Sequence, residues 1–291
     1  MRTLTATEPG TLRRLLAVQW PNLSSGQLRK LLERRDVRVN GQRTGEDVLL
    51  SPGDAVAVYL PDDVLDAARL WVMHHSARVV VAEKPAGVPT VEDGAADMVT
   101  LVGAWLAARG ENPFTLACHR LDVQTGGLLL LARDAAAEQA ARAAMEAGCI
   151  EKTYHCVVRG TPQPPHAVRT AYLTKDAARS EVSVTDTPRR GAKTAVTEYA
   201  LLRSAGDRSL LEVRLHTGRT HQIRAHLAHL GHPLLGDDKY GDRAFNRQYK
   251  ARRQMLWACA LGFAFSPEAY PPLAELAGQR FSVAAPFDDL M

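Results

Sequence analysis

The chain has 291 residues, of which 46% are hydrophobic and 23% charged, a balance that excludes a disordered chain and favours a folded protein with a sizeable core. Its first twenty residues lack the apolar stretch of a signal peptide because Arg13 and Arg14 interrupt it, and no later apolar run has the length of a membrane span. We therefore expect a cytoplasmic protein.

The first 60 residues carry an excess of cations, with nine Lys and Arg against six Asp and Glu. Residues 11–20 predict a short helix, and a second helix follows with Ser24 or Ser25 as its N-cap. Leucines at 28, 31 and 32 fall on one face of this second helix. Its other face carries four cations: Arg29, Lys30, Arg34 and Arg35. One reading is a solvated helix face, and the other is a contact with a nucleic-acid backbone.

The "VRVNG" stretch predicts a strand that enters a turn at Asn40-Gly41, and Pro52-Gly53 predicts another turn before a closing strand. This organisation suggests a small domain over residues 1–62, a linker over 63–78 and a main domain over 79–291. In the main domain, helices are predicted at 98–109, at 134–147 and within "RTHQIRAHLAHLG". Strands are predicted for "RVVVAEKPAGVPT", "GLLLLARD", "KTYHCVVRG", "TAVTEYALLR" and "SLLEVRLHTG". The irregular order of these elements predicts an α+β fold with a mainly antiparallel mixed sheet.

Cofactor and metal chemistry find little support in the sequence. Neither a GxGxxG nor a Walker sequence occurs, so no nucleotide cofactor is implied. The four cysteines form no CxxC pair, which predicts reduced thiols rather than a zinc ribbon. His226, His229 and His232 lie three residues apart, and one alternative is a metal-dependent hydrolase built on them. Spacing of three drifts around a helix, which favours capping, core or RNA-facing histidines.

The stretch "HRLDVQTGG" places three polar side chains directly before a run of leucines. Three interpretations stay open from these residues alone. The first is that Arg120 and Asp122 form a structural ion pair. The second is that His119 and Asp122 ligate a metal, and the third is that Asp122 is a nucleophile or general base.

Five motifs in one order resolve the choice by resemblance. They are "AEKPAGVPT", "HRLDVQTGG", "EKTY", "TGRTHQIRAH" and "GHPLLGDDKYG". Together they resemble the RluA family of RNA pseudouridine synthases over about residues 79–265. The resemblance implies isomerisation of specific uridines to pseudouridine in structured RNA, by an aspartate-dependent mechanism with no cofactor and no metal. In place of the charged pair and the serine usual in the family, this chain has Val123, Gln124 and Gly126.

The same resemblance assigns roles to residues. It makes Asp122 the catalytic aspartate, Arg224 its charge partner and Tyr154 the ring that holds the target base. Arg120 matches an arginine that intrudes where the flipped nucleotide leaves the stack. Further substrate contacts are expected from four residues: His119, Lys152, Arg219 and Gln222.

The stretch "LSSGQLRKLLERRDVRVNG", with a later "GDAVAV", resembles the small RNA-binding domain named after the ribosomal protein S-four. This resemblance implies that the helix cations contact RNA. The pairing of the two domains makes large-subunit (23S) ribosomal RNA the expected substrate of a monomeric enzyme, with transfer RNA as the alternative. A non-catalytic RNA-binding protein on the same fold is a further alternative. A late basic stretch, Lys239–Arg253, has six cations and one acid, and its Arg243, Arg247 and Lys250 are predicted to share a helical face.

Overall fold

The computed structural model describes residues 1–23, 25–61, 64–65, 68–92, 96–176 and 181–288. The chain divides into two compact units. The first unit comprises residues 1–123 and 130–134, and the second comprises residues 124–129 and 135–291. Ser24, one of the two predicted N-cap residues, lies outside the described residues, as do parts of the predicted linker.

The first unit opens with short strands and two helices: β1 Arg2–Thr5, β2 Gly10–Thr11, α1 Leu12–Gln19, α2 Ser25–Glu33, β3 Val37–Val39, β4 Gln42–Thr44, β5 Leu49–Leu50 and β6 Ala55–Val58. Its four-stranded sheet has the order β1-β6-β3-β4. The turn at Asn40-Gly41 is confirmed, since both residues have positive φ and Val39 pairs with Gln42 across it. Apolar side chains of α1 and α2 pack in one buried cluster with Val37, Val56 and Val58.

The predicted basic helix is shorter than expected. α2 ends at Glu33, so Arg34 and Arg35 lie in the turn that follows it, and Arg35 adopts a left-handed φ of 55°. Residues 63–78 were predicted as a linker, but Leu65 and Ala68 join the buried cluster of the N-terminal helices. Trp71–His75 forms a strand, β7, that pairs antiparallel with β8, Val79–Lys84. The first unit also contains α3, Met98–Ala107, and β9, Leu116–Ala117.

The second unit is built on a large sheet. Its elements are β10 Gly126–Ala132 (residues 126–129 belong to this unit), α4 Ala135–Glu146, β11 Ile150–Arg159, β12 His166–Asp176, β13 Glu181–Thr185, β14 Lys193–Ala205, β15 Arg208–Leu215, α5 Gln222–His229, α6 Arg243–Gln248, β16 Leu256–Phe263, a 3-10 helix Pro271–Leu276 and β17 Arg280–Ser282. The strand order is β13-β12-β14-β15-β11-β16-β10, and β17 pairs with β16. Neighbours are antiparallel except β10 and β16, which run parallel. The α+β prediction with a mainly antiparallel mixed sheet is confirmed.

Four strands of this sheet were not predicted from the sequence: β12, β13, β16 and the three-residue β17. β16 is buried on both faces, so its residues show no alternation of apolar and polar side chains. The first half of β12 is mostly exposed, which leaves its pattern polar, and β13 is only five residues long. The strands and helices that were predicted are present, with ends that differ by a few residues.

α6 ends at Gln248, and Lys250 lies beyond it with a φ of 51°, so Lys250 does not share a helical face with Arg243 and Arg247.

Two glycines let β10 approach β16 closely. A side-chain carbon at Gly126 would lie 2.2 Å from the Trp257 ring, and one at Gly127 would lie 2.3 Å from the Ala258 carbonyl oxygen. The family that the sequence resembles usually has serine at position 126. Here glycine leaves room for the Trp257 ring on β16. None of the helices in the described ranges combines the length and apolarity needed to cross a bilayer.

Candidate active site

Asp122 is half-buried in the loop that precedes β10, and the backbone on both sides of it is held by residues of the first unit. On one side, the Thr90 hydroxyl accepts a hydrogen bond from the Leu121 N–H at 3.1 Å and donates to the Leu121 carbonyl at 3.0 Å. On the other side, the Val123 carbonyl accepts from the Gly87 N–H at 2.7 Å. These contacts restrict the position of the carboxylate before any substrate binds.

Lys84 is the charged group that accompanies this loop. Its side chain is completely buried, and its ammonium donates to the carbonyls of Pro85, Val88 and Val123. Burial lowers the pKa of Lys84 to about 7, against an opposing effect of the Asp122 charge. Lys84 belongs to the "AEKPAGVPT" motif, but it was not predicted as a site residue.

His119 and Arg120 precede Asp122 in the loop, and their side chains have different surroundings. The Nε2 of His119 accepts a hydrogen bond from the Leu130 N–H at 3.2 Å, which ties the loop to β10 within the first unit. Arg120 is exposed. Its exposure is compatible with the predicted RNA contact.

Arg224 lies on α5 in the second unit and is 5% exposed. Its Nε and Nη2 donate to the two oxygens of Asp237 at 2.7 Å and 3.0 Å, a bidentate pair. Nη2 also donates to Asp238 at 3.2 Å, and the guanidinium lies 5.3 Å from the centre of the Tyr240 ring. Asp237 and Tyr240 therefore fix the arginine. Both belong to the "GDDKYG" motif, but neither was predicted as a site residue.

Asp237 is built to remain charged. Burial acts to raise its pKa, but the hydrogen bonds and charge of Arg224, with the N–H groups of Tyr240 and Lys239, outweigh burial and leave the pKa below its usual value. The two backbone donors reach one carboxylate oxygen at 2.8 Å and 2.9 Å. A buried charge pair whose carboxylate accepts four hydrogen bonds is a rigid support for the guanidinium.

Gln222, at the start of α5, was predicted to contact RNA, but its side chain is buried and fully engaged within the second unit. Its Oε1 accepts from the Thr217 hydroxyl at 2.8 Å and from the Arg219 N–H at 3.0 Å. Its Nε2 donates to the Val196 carbonyl and the Thr197 hydroxyl, both at 3.0 Å. This arrangement favours a positioning role for Gln222 over the predicted RNA contact, because no donor or acceptor of its amide faces solvent.

Arg219 was expected at a helix start, but α5 begins three residues later, at Gln222. Arg219 is exposed, and its Nε donates to the Thr194 carbonyl at 3.1 Å. Lys152 on β11 lies close to the same turn, since a side-chain carbon at Gly218 would be 3.9 Å from its Nζ. Burial lowers the pKa of Lys152. The second unit thus brings Lys152, Arg219 and Arg224 to the region around the start of α5.

Tyr154 is 5% exposed and lies on β11 between β15 and β16. The register with β16 shifts at this residue, because Thr153 pairs with Ala260 and Tyr154 with Ala258, which leaves Cys259 as an extra residue. Such bulges redirect side chains and are common beside active sites. Gln254, two residues before the start of β16, donates a hydrogen bond to the Thr125 hydroxyl at 2.6 Å.

The three histidines considered as metal ligands, His226, His229 and His232, each have a structural partner. His226 is buried with its Nδ1 2.9 Å from the Thr197 hydroxyl, and burial lowers its pKa to about 4. His229 pairs with Asp186, and His232 with the Arg159 carbonyl. In the parts of the chain that the structure describes, no three His, Cys, Asp or Glu side chains are grouped to hold a metal ion.

The four cations predicted to contact RNA, on α2 and in the turn after it, are exposed. Arg29 lies 3.4 Å from Glu33 on the same helix, and both side chains are well exposed. Lys30, Arg34 and Arg35 are also exposed. An exposed pair of this kind contributes little to stability, so the group remains accessible for an anionic partner.

Comparison with solved structures identifies the class of fold. The human protein "RNA Pseudouridylate Synthase Domain Containing 4" superposes with a TM-score of 0.60 and 23% identity, over 74% of this chain and 88% of that one. At this identity the likeness establishes the pseudouridine synthase fold.

The family follows from the sequence relatives. The model of the RNA pseudouridylate synthase family matches residues 78–229, which include Asp122, Tyr154 and Arg224. An uncharacterised RNA pseudouridine synthase of Chloroflexus aurantiacus is 35% identical over 86% of this chain and 80% of its own length. A protein named ribosomal large subunit pseudouridine synthase D, from Xylella fastidiosa, is also 35% identical, over 78% of this chain and 70% of its own. The chain belongs to the RNA pseudouridylate synthase family, and it is an RNA pseudouridine synthase.

Proposed function

We propose that this enzyme converts specific uridines of large-subunit (23S) ribosomal RNA to pseudouridine, with Asp122 as the catalytic carboxylate. One observation carries the proposal: Asp122 lies within the residues that match the family, in a loop whose backbone is held at Leu121 and at Val123. A carboxylate with a restricted backbone is suited to act on one atom of a bound substrate.

The reaction itself requires no cofactor. The bond between the sugar C1′ and N1 of uracil breaks, the base turns, and a bond from C5 to C1′ forms, while a proton leaves C5 and N1 gains one. Atoms and electrons balance without an oxidant or an energy source. Asp122 attacks C1′ or stabilises the positive charge that develops there, as carboxylates do in glycoside chemistry.

Arg224 and Tyr154 serve the same reaction in this proposal. In this proposal Arg224, whose guanidinium is fixed by the bidentate pair with Asp237, keeps Asp122 charged, which is the role that the family resemblance gives it. Tyr154 holds the detached uracil with its ring and is the candidate acceptor for the C5 proton.

Access to a uridine within a helix requires base flipping, because C1′ is otherwise shielded. Exposed Arg120, two residues before Asp122, is the proposed residue that occupies the space left by the nucleotide. His119, Lys152 and Arg219 complete the proposed substrate contacts. The proposed enzyme acts as a monomer in the cytoplasm.

The target RNA is tested by mapping pseudouridines in ribosomal and transfer RNA from cells that lack this protein. Carbodiimide adducts that stop primer extension mark each pseudouridine. We expect one or more stops in large-subunit RNA to disappear, and to return when the wild-type gene is restored. Loss of a stop in transfer RNA alone would contradict the ribosomal target.

We further propose that residues 1–62 bind RNA through the surface of α2 and the turn after it. Replacing Lys30 and Arg34 with glutamine should raise the KM for RNA several-fold and leave kcat unchanged, because backbone contacts supply affinity rather than chemistry. The measurement is the steady-state rate as a function of RNA concentration.

The matched control replaces Arg13 and Arg14 on α1, which are exposed and change the net charge equally. A KM increase of the same size in both double variants would show a general charge effect instead of a contact through α2.

A further inference from the structure

The segment Arg243–Arg253 in the second unit has two chemically different sides. Five of its side chains are exposed cations: Arg243, Arg247, Lys250, Arg252 and Arg253. None of the five forms an ion pair with a carboxylate in the described part of the chain. Unpaired cations at this density favour a polyanionic partner over a solvated surface.

The acid that directly precedes the segment does not neutralise this surface. Asp242 caps α6 by accepting from the Ala244 and Phe245 N–H groups at 2.7 Å and 3.0 Å. Its second oxygen pairs with Arg159. The carboxylate is therefore committed to the helix start and to a cation outside the segment.

The inner side of the segment is held firmly. Phe245 is buried in a cluster with Val157, Leu210 and Leu235. The Asn246 side chain accepts from the Gly236 N–H at 2.7 Å and donates to the Asp237 carbonyl at 3.0 Å. Gly236 lies so close to the Arg253 carbonyl that a side-chain carbon there would be 1.9 Å from its oxygen.

These contacts connect the cationic surface to the support of Arg224. Asp237 binds the Arg224 guanidinium with its carboxylate and α6 with its carbonyl. Gln254, directly after the last cation, donates to the Thr125 hydroxyl. A phosphate chain bound on the outer side would thus be held in a constant position relative to Arg224.

We propose that the outer side of Arg243–Arg253 is a binding surface for the phosphodiester backbone of RNA, which positions the substrate relative to Arg224. The inference rests on the proposed function, and it adds a contact surface in the second unit to the one proposed on α2. RNA is the partner that fits because several exposed cations spaced along a segment match a repeating anion.

The test is the binding of a labelled RNA hairpin of arbitrary sequence, of about 20 base pairs, by full-length protein over a series of KCl concentrations. The variant replaces Arg243, Arg247 and Lys250 with glutamine. We expect its Kd to rise about 10-fold or more at low salt and its salt slope to fall by roughly two to three. The matched control replaces Arg142, Arg214 and Arg280, which are at least half exposed and each lie beside a glutamate. The control should bind within about twofold of the wild type.

A Kd and a salt slope equal to those of the wild type, or equal losses in variant and control, would overturn the proposal. A charge-retaining variant, Arg243→Lys, Arg247→Lys and Lys250→Arg, should keep the affinity, and its failure to bind would also overturn it. Hairpin binding does not depend on catalysis. A protein that binds through this surface but forms no pseudouridine would refute the proposed function and leave the surface standing.

Discussion

Replacing Asp122 with asparagine is expected to reduce pseudouridine formation by on the order of 10³-fold or more, because the amide cannot attack C1′ or stabilise positive charge there. RNA affinity should remain, since the side chain keeps its shape. The backbone contacts of Leu121 and Val123 do not involve the carboxylate. The assay is carbodiimide-dependent primer extension on treated RNA, with affinity measured separately by filter binding.

A control for this variant is Asp134→Asn in the same unit. Asp134 forms a partly exposed ion pair with Arg78, so its loss should change neither activity nor stability appreciably. Wild-type turnover by Asp122→Asn would remove Asp122 from the catalytic role. Loss of RNA binding together with turnover would point to a role in substrate binding instead.

Replacing Asp237 with asparagine is expected to cost about 3–5 kcal/mol of unfolding free energy, because the buried guanidinium of Arg224 loses its charged partner. Turnover at saturating RNA should also fall, since the proposed role of Arg224 depends on its orientation. Thermal or denaturant unfolding measures the first effect, and single-turnover kinetics measures the second.

Asp238→Asn is the matched control, because Asp238 contacts the same guanidinium with a side chain that is 76% exposed. An exposed partner is expected to contribute no more than about 1 kcal/mol. Equal destabilisation by the two variants would contradict the assignment of Asp237 as the principal support.

The pH dependence gives a further check on Asp237. Its pKa in the folded protein lies below the ordinary value of 3.8, so the charged form stabilises the fold fully above that value. The stability difference between wild type and Asp237→Asn should be constant near neutral pH. It should shrink as the pH falls below about 4 towards the lower folded pKa.

Local patterns predicted the helices and several strands well, as the Asn40-Gly41 turn illustrates. Turn chemistry at that site depends on two adjacent residues, so sequence suffices. β16 was not predicted, because a strand buried on both faces carries no period of two. The end of α2 was placed too late, since the Arg34 and Arg35 side chains continue the basic pattern beyond the last helical residue.

The family, the enzyme class and the candidate Asp122 followed from the order of motifs in the sequence, because short motifs preserve the residues that the chemistry needs. Partnerships between distant residues did not follow. The pairing of Arg224 with Asp237, the carbonyl contacts of Lys84 and the internal role of Gln222 depend on side-chain geometry. Hydrogen bonds of about 3 Å between residues far apart in the sequence form only when the chain has folded. The packing of the folded chain therefore decides these partners, and the spacing of residues within a motif does not.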